Sequence, residues 1–527
     1  MQGSAKIDGH LRSRCGAQMN EHDVGPPELL ASLAGNDGAL WADSAPALPS
    51  SADGNRPAPP PQGERTADVV LVGAGYSGLA CARKLLAQGL DVLVLEGRDR
   101  VGGRCWNQGL PPRYGKYVVE GGAAFIRPTQ DRMYALAKEF GIGTYPAYDN
   151  GKMVYYAKGK ATPYSGPLPP AHPATLIEVQ NAITNLDNMA KKVPRSKPWT
   201  APDAASWDAQ TAQDWVNANI MAQDARDLIA LAIRSVFSAE PSAISLLYAL
   251  FYIHSAGGLD HLLETQTGAQ KDRIQDGSQS IAIAMGKDLG SRILFNATVR
   301  RVDQTADSIT VSGDGFSVTA QHAIIAMSPW PAGRLHYTPL NDDSTPLSGL
   351  MQTRLQMMRR RPMGTIWKVH CVYPTPFWRA AGLNGQVTSD AFLPRVTFDD
   401  TPNGDGAPGV MMGIIDGQLA RDALMMARDE RRANVIKAFT AYFGRDAANP
   451  VAYLETNWQA GDFSDCGRVG IAPPGVLTTY TSALSAPIGR LHWAGTETAL
   501  IWSGYMEGAV RSGERVVNEV SMAMTTV

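Results

Sequence analysis

Residues 67–104 carry a glycine-rich turn between a predicted strand and a predicted helix, and this stretch constrains the fold most. The apolar, β-branched run at 69–72 predicts a buried parallel strand. Residues 79–88 predict a helix, and a second apolar run at 92–95 stops at Glu96. The order of strand, glycine turn, helix, strand and acid, with the acid roughly 20 residues beyond the glycines, is typical of a dinucleotide-binding unit.

Each glycine of this turn has its own physical task. Gly73 permits the tight turn, Gly75 lets the backbone approach a pyrophosphate, and Gly78 lets the helix pack closely on the strand. The free N–H groups at the helix start then face the phosphates. Glu96 is placed to accept hydrogen bonds from a ribose diol. The motif alone leaves NAD and FAD open.

Length, charge and cysteine usage exclude several classes of protein. The chain has 527 residues and a formal net charge of -2, which predicts two or more folding units and no electrostatic footprint for nucleic acid. We find no apolar run that could span a bilayer and no secretory signal at the N-terminus. The five cysteines are scattered without a CxxC pair. This usage predicts a reducing, cytoplasmic compartment and no metal site.

The first part of the chain differs in composition from the rest. Residues 1–65 are rich in Ala, Pro, Ser and Gly and lack a periodic apolar face, apart from a short helix predicted around residues 27–33. Such a segment buries little apolar surface. We therefore expect a disordered or extended leader, to which we assign no function.

Two further small-residue segments follow the second predicted strand. Gly103 and the glycine before it allow close backbone approach to a second part of a cofactor, and the Arg104 guanidinium suits pyrophosphate oxygens. Residues 118–126 predict a strand that runs into another small-residue turn, and residues 131–140 predict a helix. These segments extend the candidate site beyond the first glycine turn.

Four strings resemble a known family. GAGYSGL, VLEGRDRVGGR and EGGAAFIRPTQDRMYALAKEFGI resemble the successive flavin-binding segments of the flavin-dependent monoamine oxidase family. AGTETALIWSGYMEGAVRSGER resembles the family's C-terminal flavin motif nearly residue for residue. The resemblance extends from about residue 67 to about residue 520. It implies FAD rather than NAD, in a soluble, microbial-type member of the family.

The resemblance implies an α/β fold, in which a Rossmann-like FAD-binding domain of the glutathione-reductase and amine-oxidase type is interleaved with an α+β substrate domain. Both domains are then discontinuous in sequence. We assign residues 66–150, 268–330 and 451–527 to the FAD-binding domain, and residues 151–267 and 331–450 to the substrate domain. Helical periodicity at 175–193 and 209–251 fits the helical part of that substrate domain.

The resemblance also implies a set of cofactor-binding residues. Val299 is expected against the adenine, and the turn at Gly495 with Glu497 is expected to face the phosphate and ribitol region. Met506, at a helix start, is expected to present its N–H to the flavin pyrimidine ring. The complete predicted set is Gly73, Gly75, Tyr76, Ser77, Gly78, Glu96, Arg98, Gly103, Arg104, Gly122, Ala123, Ala124, Val299, Trp458, Gly495, Glu497, Gly504, Tyr505 and Met506.

Lys368 is a cation inside an otherwise mostly apolar run at residues 365–373. The pattern alone favours an edge strand with the lysine turned to water, because burying an unpaired charge is costly. The resemblance reverses this, since PMGTIWK aligns with the segment whose lysine is hydrogen-bonded through a water to flavin N5. We therefore predict that Lys368 is catalytic, with Tyr505 as the aromatic wall beside the flavin. The arginines at 359–361 are interpreted as a solvated connection.

Two departures from the family pattern occur before the PPG triplet at 473–475. The position of the cysteine that links flavin covalently in the mitochondrial enzymes is occupied by Gly467, and Cys466 is one residue away. We therefore predict noncovalent FAD. The second aromatic wall corresponds to Arg468 or Gly467, which predicts a more open site for a bulkier or more polar amine. The chain ends without the family's membrane anchor, so we expect a soluble protein.

These observations predict an FAD-dependent oxidase that converts a primary amine to the aldehyde, with ammonia and H2O2 as the other products. Hydride-type transfer to flavin N5 requires no strong general base, and the sequence shows no Ser–His–Asp or paired-carboxylate constellation. The expected partners are a small-molecule amine and O2, with no nucleic acid and no membrane anchor, and a homodimer is left open.

Three alternatives remain at this stage. The first is a polyamine, diamine or amino-acid oxidase of the same fold, and an α-carboxylate substrate would need an arginine in the pocket, which sequence does not place. The second is an amine dehydrogenase that uses a protein electron acceptor. The third is a non-catalytic flavoprotein, which would have no need of Lys368 and Tyr505.

Overall fold

The structure is a computed structural model that describes residues 59–166, 168–263, 268–338, 346–460, 463 and 467–525. The predicted short helix near residue 30, most of the predicted leader and Cys466 lie outside these residues. Within the described residues the chain forms two large sheets, two small ones and a set of packed helices.

The first large sheet is built on parallel strands. In spatial order its strands are Ile293–Leu294, Val92–Leu95, Gly63–Val72, Phe316–Ile325, Ile309–Gly313, Val299–Gln304 and His336–Thr338, and Leu491–Trp493 pairs with the end of Phe316–Ile325. Strand Gly63–Val72 begins inside the segment predicted as leader, because its first residues pair in register with those of Phe316–Ile325.

The central strands of this sheet are buried on both faces. Val69 and Leu71 pack toward a layer of three helices, Tyr76–Ala87, Gln279–Leu289 and Met506–Thr525. Val70 and Val72 face the opposite cluster. A parallel sheet covered on both sides explains why these strands are continuous apolar runs rather than alternating ones.

The second large sheet is mostly antiparallel. Its strands, in spatial order, are Ala452–Asn457, Ile366–Tyr373, Gly409–Asp416, Val396–Asp399, Leu383–Ser389, Lys152–Ala157 and Lys160–Tyr164. Lys368 therefore lies on a central strand and not on an edge, so the pattern-based alternative of a lysine turned to water is wrong.

Two smaller sheets connect the large ones. One pairs Asn107–Gly109 with Val118–Glu120, and the other holds Phe125–Ile126, Asp272–Ile274 and Thr144–Pro146. The helices of eight or more residues are Tyr76–Ala87, Asp131–Glu139, Pro173–Ala190, Ala212–Asn219, Gln223–Phe237, Leu246–Ala256, Gln279–Leu289, Pro346–Arg359, Gly417–Leu424, Arg428–Phe443 and Met506–Thr525. Among the described helices, none combines the length and apolar composition needed to cross a membrane.

Strand pairing moves two of the predicted domain bounds. Strand His336–Thr338 joins the first sheet through Val299–Gln304, although residues from 331 onward were assigned to the substrate domain. Strand Ala452–Asn457 joins the second sheet through Ile366–Tyr373, although residues from 451 onward were assigned to the FAD-binding domain. Both shifts arise because pairing partners distant in sequence decide where a strand belongs. The division into two domains itself stays a prediction.

Candidate active site

A cavity of about 290 Å³ starts at the carboxyl ends of the parallel strands and extends to the second sheet. Ligands of open α/β sheets bind at this edge. The predicted residues that line the cavity are Gly73, Gly75, Tyr76, Ser77, Glu96, Arg98, Gly103, Arg104, Gly122, Ala123, Ala124, Val299, Lys368, Trp458, Gly495, Gly504, Tyr505 and Met506. The structure thus brings together segments from six parts of the chain.

The first glycine turn forms a cradle that side chains would fill. A Cβ on Gly103 would lie 3.3 Å from the Cα of Gly75, so the two backbones approach closely at the cavity wall. Gly73 has φ of +107°, and a Cβ on Gly78 would lie 2.0 Å from the Gly73 carbonyl oxygen. Gly78 is therefore needed for packing of helix against strand, and it does not itself line the cavity. A cradle of this shape fits the pyrophosphate of a dinucleotide.

Glu96 is buried at the end of strand Val92–Leu95. Its Oε2 accepts a hydrogen bond from the Ala74 backbone N–H at 2.8 Å, and its Oε1 accepts one from the Arg98 N–H at 3.0 Å. These contacts fix the carboxylate at the same end of the cavity as Val299. The arrangement fits a carboxylate that accepts hydrogen bonds from the ribose hydroxyls of FAD.

Glu497 is not among the residues that line the cavity, and its contact with the cofactor stays a prediction. It is buried and accepts two hydrogen bonds from Arg104, at 2.7 Å from Nη1 and 3.0 Å from Nη2. Burial by itself would raise the pKa of Glu497, but the Arg104 guanidinium outweighs it and lowers that pKa. Glu497 therefore positions Arg104, and Arg104 is the member of the pair that faces the cavity.

Arg361 is also buried, so its interpretation as part of a solvated connection is wrong. Its Nη2 donates to the Gly470 carbonyl oxygen at 2.8 Å, and its guanidinium lies 5.4 Å from the ring centroid of Tyr248. The two arginines before it are exposed. The sequence alone does not show that Arg361 is buried and its two neighbours are exposed. The burial of Arg361 comes from contacts with residues more than 100 positions away.

Tyr505 lies at the start of helix Met506–Thr525, where the cavity meets the helix N-terminus. Its ring packs edge-on against Trp502, with centroids 4.9 Å apart. Burial raises the pKa of Tyr505 to about 12, so the phenol stays neutral. Gly504 has φ of +85°, and a Cβ there would lie 2.4 Å from the Tyr252 hydroxyl. The tight turn thus fixes an aromatic wall at this end of the cavity.

Lys368 lines the same cavity and is contributed by the second sheet. Its Nζ donates to the carbonyl oxygens of Glu120 at 2.9 Å and Gly122 at 2.6 Å. Burial lowers the pKa of Lys368 to about 8, because the protonated amine has lost most of its hydration. The ammonium is thus held on two backbone oxygens and titrates close to neutral pH.

A buried ionic network surrounds Lys368, and sequence reasoning missed it. Arg273 Nη2 lies 2.7 Å from Glu120 and 3.0 Å from Asp400, and His370 Nε2 lies 3.4 Å from Asp400. Burial would raise the pKa of Asp400, but Arg273 and His370 hold it at about 2. Burial raises the pKa of Glu120. The network therefore places buried acidic and basic groups next to Lys368.

The cavity walls near Lys368 are mostly apolar. Trp458 fixes one wall through a hydrogen bond from its Nε1 to the Gly121 carbonyl oxygen at 2.8 Å. Further lining residues that the sequence did not single out are Phe125, Tyr252, Ile366, Phe398 and Ile414. Ile366 is two residues from Lys368 on the same strand, and side chains at this spacing point to the same face of the sheet. The sequence could therefore have predicted Ile366 as a lining residue. Ile414 lies opposite Lys368 only through strand pairing.

Gly467 and Arg468 both line the cavity. A Cβ on Gly467 would lie 2.4 Å from the Gly364 carbonyl oxygen, so a cysteine there would require the backbone to move. The positive charge of Arg468 lowers the pKa of both Lys368 and Tyr505. A cation thus stands where the resemblance implies a second aromatic wall.

Comparison with known proteins agrees with this geometry. The family described as "Flavin containing amine oxidoreductase" matches residues 76–521. The chain is 39% identical over 456 residues to the putative flavin-containing monoamine oxidase AofH of Mycobacterium tuberculosis, which covers 86% of this chain and 97% of that protein. It is 35% identical over 463 residues to human flavin-containing amine oxidase B, which covers 87% of this chain and 86% of that protein.

Solved structures show the same similarity. A wild-type putrescine oxidase with putrescine bound superposes with a TM-score of 0.81 at 30% identity, over 87% of this chain and all of that one. Cyclohexylamine oxidase from Brevibacterium oxydans superposes with a TM-score of 0.81 at 29% identity, over 88% of this chain and all of that one.

The glycine cradle, the buried Glu96 and the match to the family together define an FAD-dependent oxidoreductase that acts on amines. The chain belongs to the flavin-containing amine oxidase family. The resemblance stated from the sequence, the α/β FAD-binding fold and FAD as the cofactor are thereby confirmed.

Proposed function

We propose that this protein oxidises a primary amine to the aldehyde and releases ammonia and H2O2. One observation carries the proposal: Lys368, on a strand of the second sheet, and Tyr505, at a helix start, line the same cavity as the glycine cradle. The glycine cradle of this cavity suits the adenine half of FAD. The reacting end of the cofactor therefore belongs between Lys368 and Tyr505.

When bound, FAD supplies the acceptor for the hydride of the amine carbon and passes the electrons on to O2. The residues proposed to hold it are Glu96 at the ribose, the cradle of Gly75 with Gly103, and Arg104 at the pyrophosphate. Met506 presents the positive end of helix Met506–Thr525 to the cavity. That dipole stabilises negative charge that develops during reduction.

Tyr505 and the apolar walls orient the substrate and exclude bulk water. A neutral amine suits this end of the cavity, because Lys368 and Arg468 would repel a protonated one. Lys368 holds a proton on two backbone carbonyls and, with a pKa of about 8, exchanges it near neutral pH. We assign it to proton delivery during reoxidation by O2 or to activation of the water that hydrolyses the imine.

A diamine is a second candidate substrate, because a putrescine oxidase is among the structural neighbours at 30% identity. An amine dehydrogenase with a protein acceptor is distinguished by the absence of H2O2. A cytoplasmic location and a homodimer stay predictions.

The test is a panel of primary amines, diamines and amino acids assayed with the FAD-loaded protein, with H2O2 and aldehyde both measured. Stoichiometric H2O2 and aldehyde from at least one amine support the proposal. Anaerobic mixing with the same amine shows whether the flavin is reduced, and an assay in air shows whether H2O2 is formed. A dehydrogenase would bleach its flavin in the first experiment and produce no H2O2 in the second. A protein that binds FAD and is not reduced by any member of the panel would contradict amine oxidation itself.

A further inference from the structure

We propose that the amine substrate of this site carries a carboxylate, and that Arg468 binds that carboxylate. The inference rests on the proposed amine oxidation and adds the chemical class of the substrate. It makes Arg468 a specificity-determining residue at the reacting end of the cavity.

Arg468 lines the cavity that contains the proposed reaction centre. It lines the cavity together with Lys368, Tyr505, Ile366 and Ile414. Its positive charge contributes to the low pKa of Lys368 and lowers the pKa of Tyr505 against the effect of burial. Arg468 therefore shares the cavity with both groups that flank the proposed reaction centre, and its charge acts on both.

The backbone that carries Arg468 is fixed on both sides. Its carbonyl oxygen accepts a hydrogen bond from Arg104 Nη1 at 2.9 Å. Gly467 packs against Gly364 so closely that any Cβ would clash, and the Gly364 N–H donates to the Val469 carbonyl oxygen at 3.3 Å. An arginine on a fixed segment presents its planar donors in a defined direction, which suits recognition of a planar anion.

Among the described residues Arg468 has no acid partner, in contrast to Arg104 and Arg273. Arg104 is paired with Glu497, and Arg273 is paired with Glu120 and Asp400. Within the described part of the chain, the Arg468 guanidinium makes neither a hydrogen bond nor an ion pair. A partly buried cation without a partner is costly unless a ligand supplies the opposite charge.

Asp416 is an acid whose pKa is lowered by the charge of Arg468. It is buried, and burial raises its pKa to about 6 although Arg468 lowers it. Within the part of the chain that the structure describes, its Oδ2 has no hydrogen-bond partner and no ion pair joins it to Arg468. Asp416 therefore leaves the donors of Arg468 available to a substrate.

A carboxylate is the anion that matches these conditions. It accepts two parallel hydrogen bonds from a guanidinium, and its charge compensates the two cations at this end of the cavity. When an amine without an acid group is bound, Arg468 has no charged partner in the complex. The site therefore favours a substrate whose carboxylate pairs with Arg468. An amino acid satisfies both requirements, with the amine at the flavin and the carboxylate on Arg468. The same two-electron oxidation and imine hydrolysis then yield ammonia with a 2-oxo acid from an α-amino acid, and ammonia with an aldehyde from an amino acid whose amine is on a terminal CH2.

The test uses the FAD-loaded enzyme and matched substrate pairs that differ in the acid group. Phenylalanine is compared with 2-phenylethylamine, and 5-aminopentanoate with pentylamine and 1,5-diaminopentane. We expect kcat/KM to favour the carboxylated member of at least one pair by about tenfold or more. The pair that shows the larger preference separates α-amino acids from longer amino acids.

Three variants assign the preference to the side chain. In Arg468→Gln, the ratio of kcat/KM for the carboxylated over the plain amine falls about 10- to 100-fold, mainly through KM, and Arg468→Lys restores part of it. Arg300→Gln is the matched control, because Arg300 is an exposed surface residue paired with Asp314 at 3.3 Å. Its ratio stays at the wild-type value.

Binding of benzoate to the oxidised enzyme gives a readout independent of turnover. The flavin absorbance shifts on binding, and the dissociation constant rises about 10-fold or more in Arg468→Gln while the control is unaffected. If plain amines are oxidised with H2O2 as efficiently as their carboxylated partners, and benzoate binds wild type and Arg468→Gln alike, this inference is wrong and amine oxidation stands. If no amine of either kind reduces the flavin, amine oxidation itself fails.

Discussion

Replacing Lys368 by methionine tests the central electrostatic claim about this site. Methionine keeps an unbranched side chain of similar length and removes the ammonium that donates to the Glu120 and Gly122 carbonyl oxygens. The change leaves the cavity walls in place, because Lys368 is buried on a central strand whose neighbours are fixed by the sheet. The effect of the variant then reports on the charge.

The pKa of Lys368 is lowered from 10.5 to about 8 by burial. This lowering of the pKa corresponds to a cost of about 3 kcal/mol for keeping the lysine charged in the folded protein. The unfolded state binds more protons than the folded state between these two pKa values, so this penalty is present below pH 8 and is relieved as pH rises toward 10.5. The penalty is absent from Lys368→Met at every pH.

The assay is chemical unfolding of the FAD-loaded wild type and of Lys368→Met, from pH 7 to pH 9.5. Subtraction of the two stabilities cancels the other titrating groups. We expect the wild type to gain about 2 kcal/mol relative to the variant across this range. Stopped-flow mixing of the reduced enzymes with O2, and of the oxidised enzymes with amine, follows the chemistry. We expect one of these steps to slow about 100-fold, because a preorganised charged donor has been removed.

Lys287→Met is the control, since Lys287 is exposed on helix Gln279–Leu289. It should match the wild type in both measurements. A difference between wild type and Lys368→Met that stays constant from pH 7 to pH 9.5 would refute the shifted pKa. Reduction and reoxidation rates within about twofold of wild type would refute the catalytic assignment.

Three further predictions follow from contacts of the site. Glu497→Gln removes the charge that holds Arg104, so the dissociation constant of FAD should rise about tenfold, measured by fluorescence of released flavin; unchanged retention would contradict the positioning role. Asp400→Asn leaves Arg273 with one acid partner and should lower the free energy of unfolding by about 3 kcal/mol, whereas a loss below about 1 kcal/mol would contradict the network. Acid precipitation should leave the yellow colour in the supernatant, because Gly467 offers no thiol; colour in the pellet would contradict noncovalent FAD.

The local parts of the site could be predicted from the sequence. The strand, turn and helix around Gly73 and Gly75 lie within one short stretch, and the steric demands of a tight turn leave few residues that fit. Lys368 and Tyr505 were found through the family resemblance, which carries long-range information that composition and periodicity lack. The two-residue period of side chains along a strand could have added Ile366 to the predicted lining residues.

The arrangement of charges could not be predicted in this way. Arg104 meets Glu497 across 393 positions, and Lys368 meets the Glu120 carbonyl across 248. Sequence analysis assigned Glu497 to the cofactor because it lies in a flavin motif, and it gave no sign that this carboxylate pairs with Arg104. The difference arises because burial and partner choice are settled only when both sheets pack.

The sequence by itself determined the dinucleotide-binding unit, the family and FAD, because these depend on short-range backbone geometry and on matched motifs. The tertiary structure decided which charges are paired. It put Lys368 on a central strand, joined Arg273 to Asp400, and left Arg468 in the cavity without an acid partner among the described residues. Pairing of buried charges depends on distances of a few ångströms between elements far apart in the chain, and only the packed fold sets those distances.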